Sequence, residues 1–194
     1  MPPLVPPVLP PGSLNRRAQP VLPVDGGLVL RPWLDSDADA VAEVFRDPAI
    51  RRWHLRGADS AAETGEWIAR WRRDWADERA AHWAVADPDG GGLLGRVSLQ
   101  SLVLYGGQAE IAYWTAPAAR GRGVCPRAVR RVSDWALHDV GFHRIELGHS
   151  TANPASCRVA GKTGYLLEGT RRSALLHADG WHDMHLHARV RADA

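Results

Sequence analysis

The chain has 194 residues, 45% of them hydrophobic and 24% charged, with a formal net charge of +2. That length suits one domain with a substantial core, and the balanced charge argues against a whole-molecule attraction to nucleic acid. Two cysteines, Cys125 and Cys157, are too few for a disulfide framework and lack zinc-site spacing; with no apolar run near the ~20 residues of a membrane span, a reduced, cytoplasmic setting without membrane contact is expected.

Eight of the fourteen prolines fall in the first 23 residues. They interrupt any apolar run, so no signal peptide is expected. Residues 1–27 are expected to form a proline-rich arm, poorly ordered or laid along the surface, and residues 28–194 a single folded domain. Leu28–Arg31 reads as a first strand, stopped by Pro32. Asp35–Arg46 reads as a helix, with acidic residues in its first turn and Val41, Val44 and Phe45 on one face; Asp47-Pro48 ends it. Ser60-Ala61-Ala62-Glu63 has the pattern of a capping box. The helix it opens carries Trp67, Trp71 and Trp75 on one ridge. Such spacing usually marks a core-facing stripe; the competing reading makes the ridge the wall of a substrate cleft.

His82–Ala86 and Leu93–Leu102 read as strands around an Asp87–Gly92 turn, and a turn at Tyr105–Gln108 leads into a third, Ala109–Thr115. Pro126–Val140 reads as a helix with proline at its first position and Gly141 just past its end. Arg144–Gly148 is a strand, Ala155–Thr163 a short helix ended by Gly164, and Tyr165–Thr170 and Met184–Val190 are the last strands. In that last strand Met184, Leu186, Ala188 and Val190 alternate with His185, His187 and Arg189. We read the alternation as a half-buried strand with a polar face, and expect no metal at His182, His185 and His187.

Arg120-Gly121-Arg122-Gly123-Val124-Cys125 stands at the mouth of the Pro126 helix. A helix N-terminus offers unpaired N–H groups and the positive end of a dipole. Glycines allow close backbone approach, and arginines add fixed charge, so the stretch is built for an anion, most simply a pyrophosphate. It is not a dinucleotide fingerprint, because the third glycine position is Pro126. Nor is Gly161-Lys162-Thr163 a Walker loop, because Ser156 stands where the earlier glycine is required. An ordinary surface loop is the plain alternative.

Several pieces in order resemble the GNAT N-acetyltransferase family, and within it the RimJ/RimL-type group that acetylates ribosomal-protein N-termini. Ala109–Trp114 is similar to that family's fourth strand and Arg120–Cys125 to its pyrophosphate loop. Asn153-Pro154-Ala155-Ser156, Lys162-Thr163-Gly164-Tyr165 and Glu168-Gly169 are similar to its later signatures. The resemblance runs from about Leu28 to Val190. It implies an α/β fold of mixed, α+β character: a central sheet of about six to seven strands flanked by about four helices, with two splayed central strands, Ala109–Thr115 and Arg144–Gly148, forming an acetyl-coenzyme A cleft.

The same resemblance implies acetyl-coenzyme A as co-substrate, no metal, and direct attack by a primary amine, either a peptide N-terminus or a small amine such as an amino acid or amino-bearing antibiotic. It implies cofactor contacts at Trp114, Thr115, Arg120, Gly121, Arg122, Gly123, Val124, Cys125, Asn153 and Ser156. Ser156 is the implied proton donor to the leaving thiolate, and a backbone N–H near Trp114–Thr115 the oxyanion donor. Relatives with a glutamate on the second strand have no counterpart here, since Gly148 holds that place, so Glu110, His149 and a water stand as candidate bases. Trp53, Trp67 and Trp71 are the candidate acceptor-site residues. Cys125 replaces a usual Gly or Ala, and a lowered pKa at a helix start is one reading of its thiol. Pro126 removes one N–H. The chain is expected to act as monomer or homodimer. Two other functions compete: a non-catalytic acyl-coenzyme A sensor or partner protein on the same fold, and a serine hydrolase using Ser150, since Gly148-His149-Ser150-Thr151-Ala152 nearly matches a nucleophile elbow.

Overall fold

A computed structural model describes residues 4–88 and 92–193. Eight strands form one mixed sheet: β1 (Leu22–Val24), β2 (Leu28–Arg31), β3 (Ala81–Ala86), β4 (Leu93–Val103), β5 (Gln108–Thr115), β6 (Arg144–Ser150), β7 (Leu166–His177) and β8 (Gly180–Val190), in the order β1-β2-β3-β4-β5-β6-β8-β7. The helices are α1 (Ala38–Val44), α2 (Pro48–Trp53), α3 (Ala61–Ala76), α4 (Val124–Asp134) and α5 (Pro154–Lys162). The expected architecture is present with one strand and one helix more. β1 escapes the pattern because Pro23 lies in it, yet Leu22 and Val24 pair with Leu30 and Leu28 at the sheet edge, where a missing N–H is tolerated. Asp47-Pro48 does end a helix, but it also begins one. The Asp47 side chain accepts from the Ile50 amide, with proline at the first helical position. Of the expected Asp87–Gly92 turn, residues 89–91 lie outside the described residues.

The middle of the sheet is buried on both faces, while the edge strand β7 is largely exposed. In β3 every residue is buried; Trp83 and Val85 join the apolar cluster under α4, while Ala84 joins a second cluster under α1 and α3. Alternation along a strand accounts for the split. The tryptophan ridge of α3 divides as well. Trp71 and Trp75 are buried, Trp67 is half-buried, and Trp71 packs 4.8 Å from Trp33. α4 begins at Val124 rather than Pro126. Its N-cap, Gly123, is left-handed at φ 70°, and Pro126 sits in the first turn, where a missing N–H breaks no helical bond. The helix runs on as a π turn over Trp135–Val140 and stops at the left-handed Gly141.

The proline-rich segment lies against the sheet and puts Leu9 and Leu14 into the main cluster. Proline-rich backbone cannot satisfy its own carbonyls, and here indole N–H groups do so: Trp75 donates to Arg17 O at 3.2 Å and Trp83 to Pro20 O at 2.9 Å. Glu78, held at φ 52°, takes the amides of Gly12 (2.6 Å), Leu14 (2.7 Å) and Asn15 (3.4 Å) on its carboxylate. Partial burial opposes ionisation, but these three N–H bonds outweigh it and the Glu78 pKa is lowered. A depressed folded-state pKa gives stability that is present above the unfolded pKa and lost as pH falls through the folded one. Glu78→Gln is therefore expected to lower unfolding free energy by about 1–3 kcal/mol near neutral pH. In urea melts at descending pH the difference from wild type should shrink; a pH-independent difference would rule out the charge as its source.

Candidate functional site

β5 and β6 are the parallel pair of the sheet, and they pair only at Gln108–Arg144, Ala109–Ile145 and Glu110–Glu146. Beyond Glu110 they part. β5 stays with β4 as far as Thr115, and β6 stays with β8 as far as Ser150. The Ala116 amide donates to Leu94 O on the β4 side. Backbone polar groups alternate sides along an antiparallel strand, so the amides of Ile111, Tyr113 and Thr115 turn into the gap. Of the expected Trp114–Thr115 pair, it is Thr115 that presents its backbone there. The Trp114 indole instead fills the second cluster, 6.2 Å from Trp33 and 6.1 Å from Phe45.

Two cavities flank the open end of β5. One, of about 370 Å³, is lined by Trp53, Tyr113, Trp114, Thr115, Cys125, Asn153 and Ser156 among others. The other, of about 270 Å³, is lined by Arg96, Glu110, Tyr113, Gly148, Ser150 and Ser156 among others. Trp53 borders both. Trp67 and Trp71 line a third hollow, of about 240 Å³, which meets the second through His54, Leu55 and Arg96.

Asn153 caps α5, its Oδ1 accepting from the Ser156 amide at 3.1 Å. Ser156 Oγ lies 2.7 Å from the Tyr113 hydroxyl, a contact from β5 to α5 across the gap. Burial raises the Tyr113 pKa and keeps the phenol protonated. Tyr113 was not singled out in the sequence. The signal was strand alternation, which puts Tyr113 on the α4 and α5 face with Ile111. Glu110 faces the other way, towards Gly148. Burial raises its pKa, a hydrogen bond from Gln100 opposes the rise, and the charge of Glu146 adds to it. His149 borders the second cavity, but its ring lies edge to edge with that of His187, 5.1 Å between centroids; burial lowers its pKa.

A cavity of about 420 Å³ lies under the glycine-arginine loop, with Arg158 and Lys162 of α5 opposite Gly121, Gly123 and Cys125. Gly121 and Gly123 have φ of 75° and 70°, conformations that disfavour a side chain. Among the described residues the amides of 121–125 donate no hydrogen bond, so the loop offers a row of free N–H groups at a helix start. The arginines differ. Arg120 holds Asp47 with both terminal nitrogens, at 2.9 and 3.2 Å, which lowers the Asp47 pKa and ties the loop to α2. The Arg122 guanidinium is free of hydrogen-bond and ion-pair partners among the described residues. Arg127, unremarked in the sequence, braces the loop by donating to Gly123 O, Arg122 O and Asp25 O. The low-pKa reading of Cys125 is overturned: burial pushes its thiol up to about 12, with only a Thr115 hydrogen bond opposing.

Ser150 is buried. Its Oγ sits 2.7 Å from His182 Nδ1, and His182 Nε2 lies 2.8 Å from Asp179 Oδ1. The same Oγ accepts from the Ala152 amide at 3.1 Å.

A sequence model of the acetyltransferase (GNAT) domain matches residues 27–166. A putative ribosomal N-acetyltransferase of Bacillus subtilis is 28% identical over 166 residues, covering 82% of this chain and 88% of its own. A solved probable acetyltransferase, 26% identical, superposes with a TM-score of 0.82 over 91% of this chain and all of its own. Mycobacterium smegmatis RimJ, solved with a coenzyme A disulfide, is 22% identical with a TM-score of 0.80, covering 88% of this chain and 86% of its own; at that identity the likeness is one of fold.

The two arginines predict different losses. Arg120→Ala removes a partly exposed ion pair and is expected to cost about 0.5–1 kcal/mol of stability. Arg122→Ala should leave the melting temperature unchanged and weaken pyrophosphate binding in isothermal titration about fivefold or more. Equal pyrophosphate affinity in wild type and Arg122→Ala would remove that side chain from the anion site.

Proposed function

The chain belongs to the GNAT acetyltransferase family, in its RimJ/RimL-like group, and from that premise we propose that it transfers an acetyl group from acetyl-coenzyme A to a primary amine. The observation that carries this reading is the gap: β5 leaves β6 after Glu110, and its free backbone edge continues towards the free amides of 121–125. A pantetheine arm has amides to complete such an edge, and a pyrophosphate suits such a row of N–H groups. Acetyl-coenzyme A supplies the activated acetyl group.

The chain supplies the rest. Thr115 and Tyr113 offer gap-facing amides to a carbonyl oxygen that gathers negative charge. The Tyr113 hydroxyl and Ser156 Oγ, 2.7 Å apart, hold the proton that a departing thiolate takes up, and the raised Tyr113 pKa keeps that proton in place. Glu110, on the opposite face of β5, receives the proton of the attacking ammonium. Its raised pKa brings its basicity closer to that task than an ordinary carboxylate's. His149 is the weaker candidate, because its ring is held against His187.

The names of the relatives point to protein or peptide N-termini as acceptors. The second cavity suits that class. It carries Glu110 for the amine and the half-buried Arg96, whose buried Nε has no partner among the described residues, for the carbonyl a short distance along. A second reading, ester hydrolysis by Ser150, rests on the Ser150–His182–Asp179 chain. Against it, Ser150 is buried and already accepts the Ala152 amide. Labelling by a serine-reactive ester probe that disappears in Ser150→Ala would favour it.

Isothermal titration with acetyl-coenzyme A, set against desulfo-coenzyme A and free nucleotide, followed by a screen of amines and N-terminal peptides for thiol release, tests the main reading. Micromolar binding and turnover are expected; a folded protein that does not bind would sink it, and binding without turnover on any amine would leave a sensor. Tyr113→Phe is expected to lower kcat about 10–100-fold, with Ser156→Ala adding little on top because the two act as one unit. Glu110→Gln should abolish the acid limb of the kcat/KM profile. In wild type that limb lies above the ordinary carboxylate pKa, since activity falls as Glu110 takes up its proton. An unchanged limb in the variant would remove Glu110 as base.

A further inference from the structure

Three histidines and one cysteine converge behind the cleft. His149 of β6 and His185 of β8 are register partners. His187 lies two residues further along β8 on the same face, and Cys157 reaches them from α5. Their donor atoms all lie within 4.8 Å of one another. The face that reads in sequence as merely polar is thus a cluster of four potential ligands, while His182 turns away to Ser150 and Asp179.

Hydrogen bonding fixes which nitrogens are bare. His149 Nδ1 lies 2.8 Å from Ser150 O, and His187 Nδ1 lies 3.4 Å from Tyr165 O. A carbonyl only accepts, so each ring carries its proton on Nδ1 and leaves a lone pair on Nε2. Those two Nε2 atoms face each other at 3.1 Å. Lone pair against lone pair at that distance is repulsive, and a cation between them makes it attractive. The edge of a tetrahedron with metal–nitrogen bonds of about 2.0–2.1 Å is about 3.3–3.4 Å, close to the spacing found. An imidazole that donates from its second nitrogen to a backbone carbonyl is also the arrangement that orients metal-bound histidines. His185 adds an independent sign: its Nδ1 is buried and has no partner among the described residues.

We propose that His149, Cys157, His185 and His187 bind one divalent transition-metal ion of the zinc class in a closed four-coordinate site. Three imidazoles and a thiolate form a donor set suited to zinc, and the exposed Cys157 gives the ion its way in. Four protein ligands leave no open position, so the ion is structural. It ties α5 to β6 and β8 on the Ser156 side of the gap, and it removes His149 from the candidate bases. The site stands or falls independently of acyl transfer.

The test uses tag-free full-length protein, stripped with chelator and checked for residual metal, then titrated with Co(II). One equivalent is expected to saturate the intense visible bands of tetrahedral cobalt together with a thiolate-to-cobalt charge-transfer band, and Zn(II) should bleach both. Cys157→Ser, at an exposed position, should keep the wild-type circular dichroism, lose the charge-transfer band and bind Co(II) at least tenfold more weakly. His185→Gln should also weaken binding at least tenfold. Zinc should raise the melting temperature of wild type and not of Cys157→Ser. Absence of stoichiometric cobalt binding by the folded wild-type protein, the result expected if a shared proton bridges the Nε2 pair, would overturn the proposal. So would binding unchanged in both variants.

Discussion

The parting of β5 and β6 after Glu110 is the constraint on which the rest of the site depends. Two parallel strands in the middle of a sheet would ordinarily satisfy each other's backbone groups along their length. Leaving a buried N–H or C=O without a partner costs about 1–3 kcal/mol, so a sheet opens only where something else meets those groups. Here the opening forms a cleft, and the backbone edge that β5 no longer shares with β6 is one of its walls. An extended chain with its own amides can dock there as one more strand. That edge does not depend on side-chain identity, so side chains are left to carry the chemistry.

Those side chains are sorted by the alternation of β5. Ile111 and Tyr113 face α4 and α5, where Ser156 completes the hydroxyl pair. Glu110 faces the opposite side with Gly148 and the half-buried Arg96. In the mechanism we propose, a proton donor for the leaving group and a proton acceptor for the nucleophile are thereby kept on opposite faces of one strand. Their environments push in one direction: burial raises both pKa values. For the phenol this secures the acid form, and for the carboxylate it raises basicity. On the proposed mechanism one cleft thus serves two opposite roles, because the two groups start from ordinary pKa values far apart.

Much of this was legible in the sequence, and what escaped did so for physical reasons. The helix opened by Ser60, the strand Ala109–Thr115 and the glycine-arginine loop are local patterns, and each appears where the pattern puts it. β1 was hidden because a proline breaks the strand signal, although an edge position tolerates it. α2 was hidden because Asp47-Pro48 signals a helix start as well as a stop. The roles of Arg120 and Arg122 look alike in sequence and separate only in space, since Asp47, which claims one of them, lies 73 residues away. The Tyr113–Ser156 pair and the convergence of His149 with His185 and His187 are likewise products of register and crossover. Composition and spacing carry no information on which ring nitrogen faces which.

An open edge is also a mechanical weakness, and the distribution of indoles answers it. Past Glu110, β5 has lost its neighbour on one side and is held by β4 on the other, where Gly95 comes so close that an added Cβ would lie 2.6 Å from Trp114 O. Trp114 then anchors the strand from below, packed with Trp33 and Phe45 in the second cluster. An aromatic side chain of this size buries enough apolar surface to contribute several kcal/mol, on the order of 3–5 when it is removed from a core. That is comparable to the cost of one or two of the backbone groups the strand leaves to the cleft. The residue that fixes β5 therefore stands beside the two, Tyr113 and Thr115, that present its backbone to the gap.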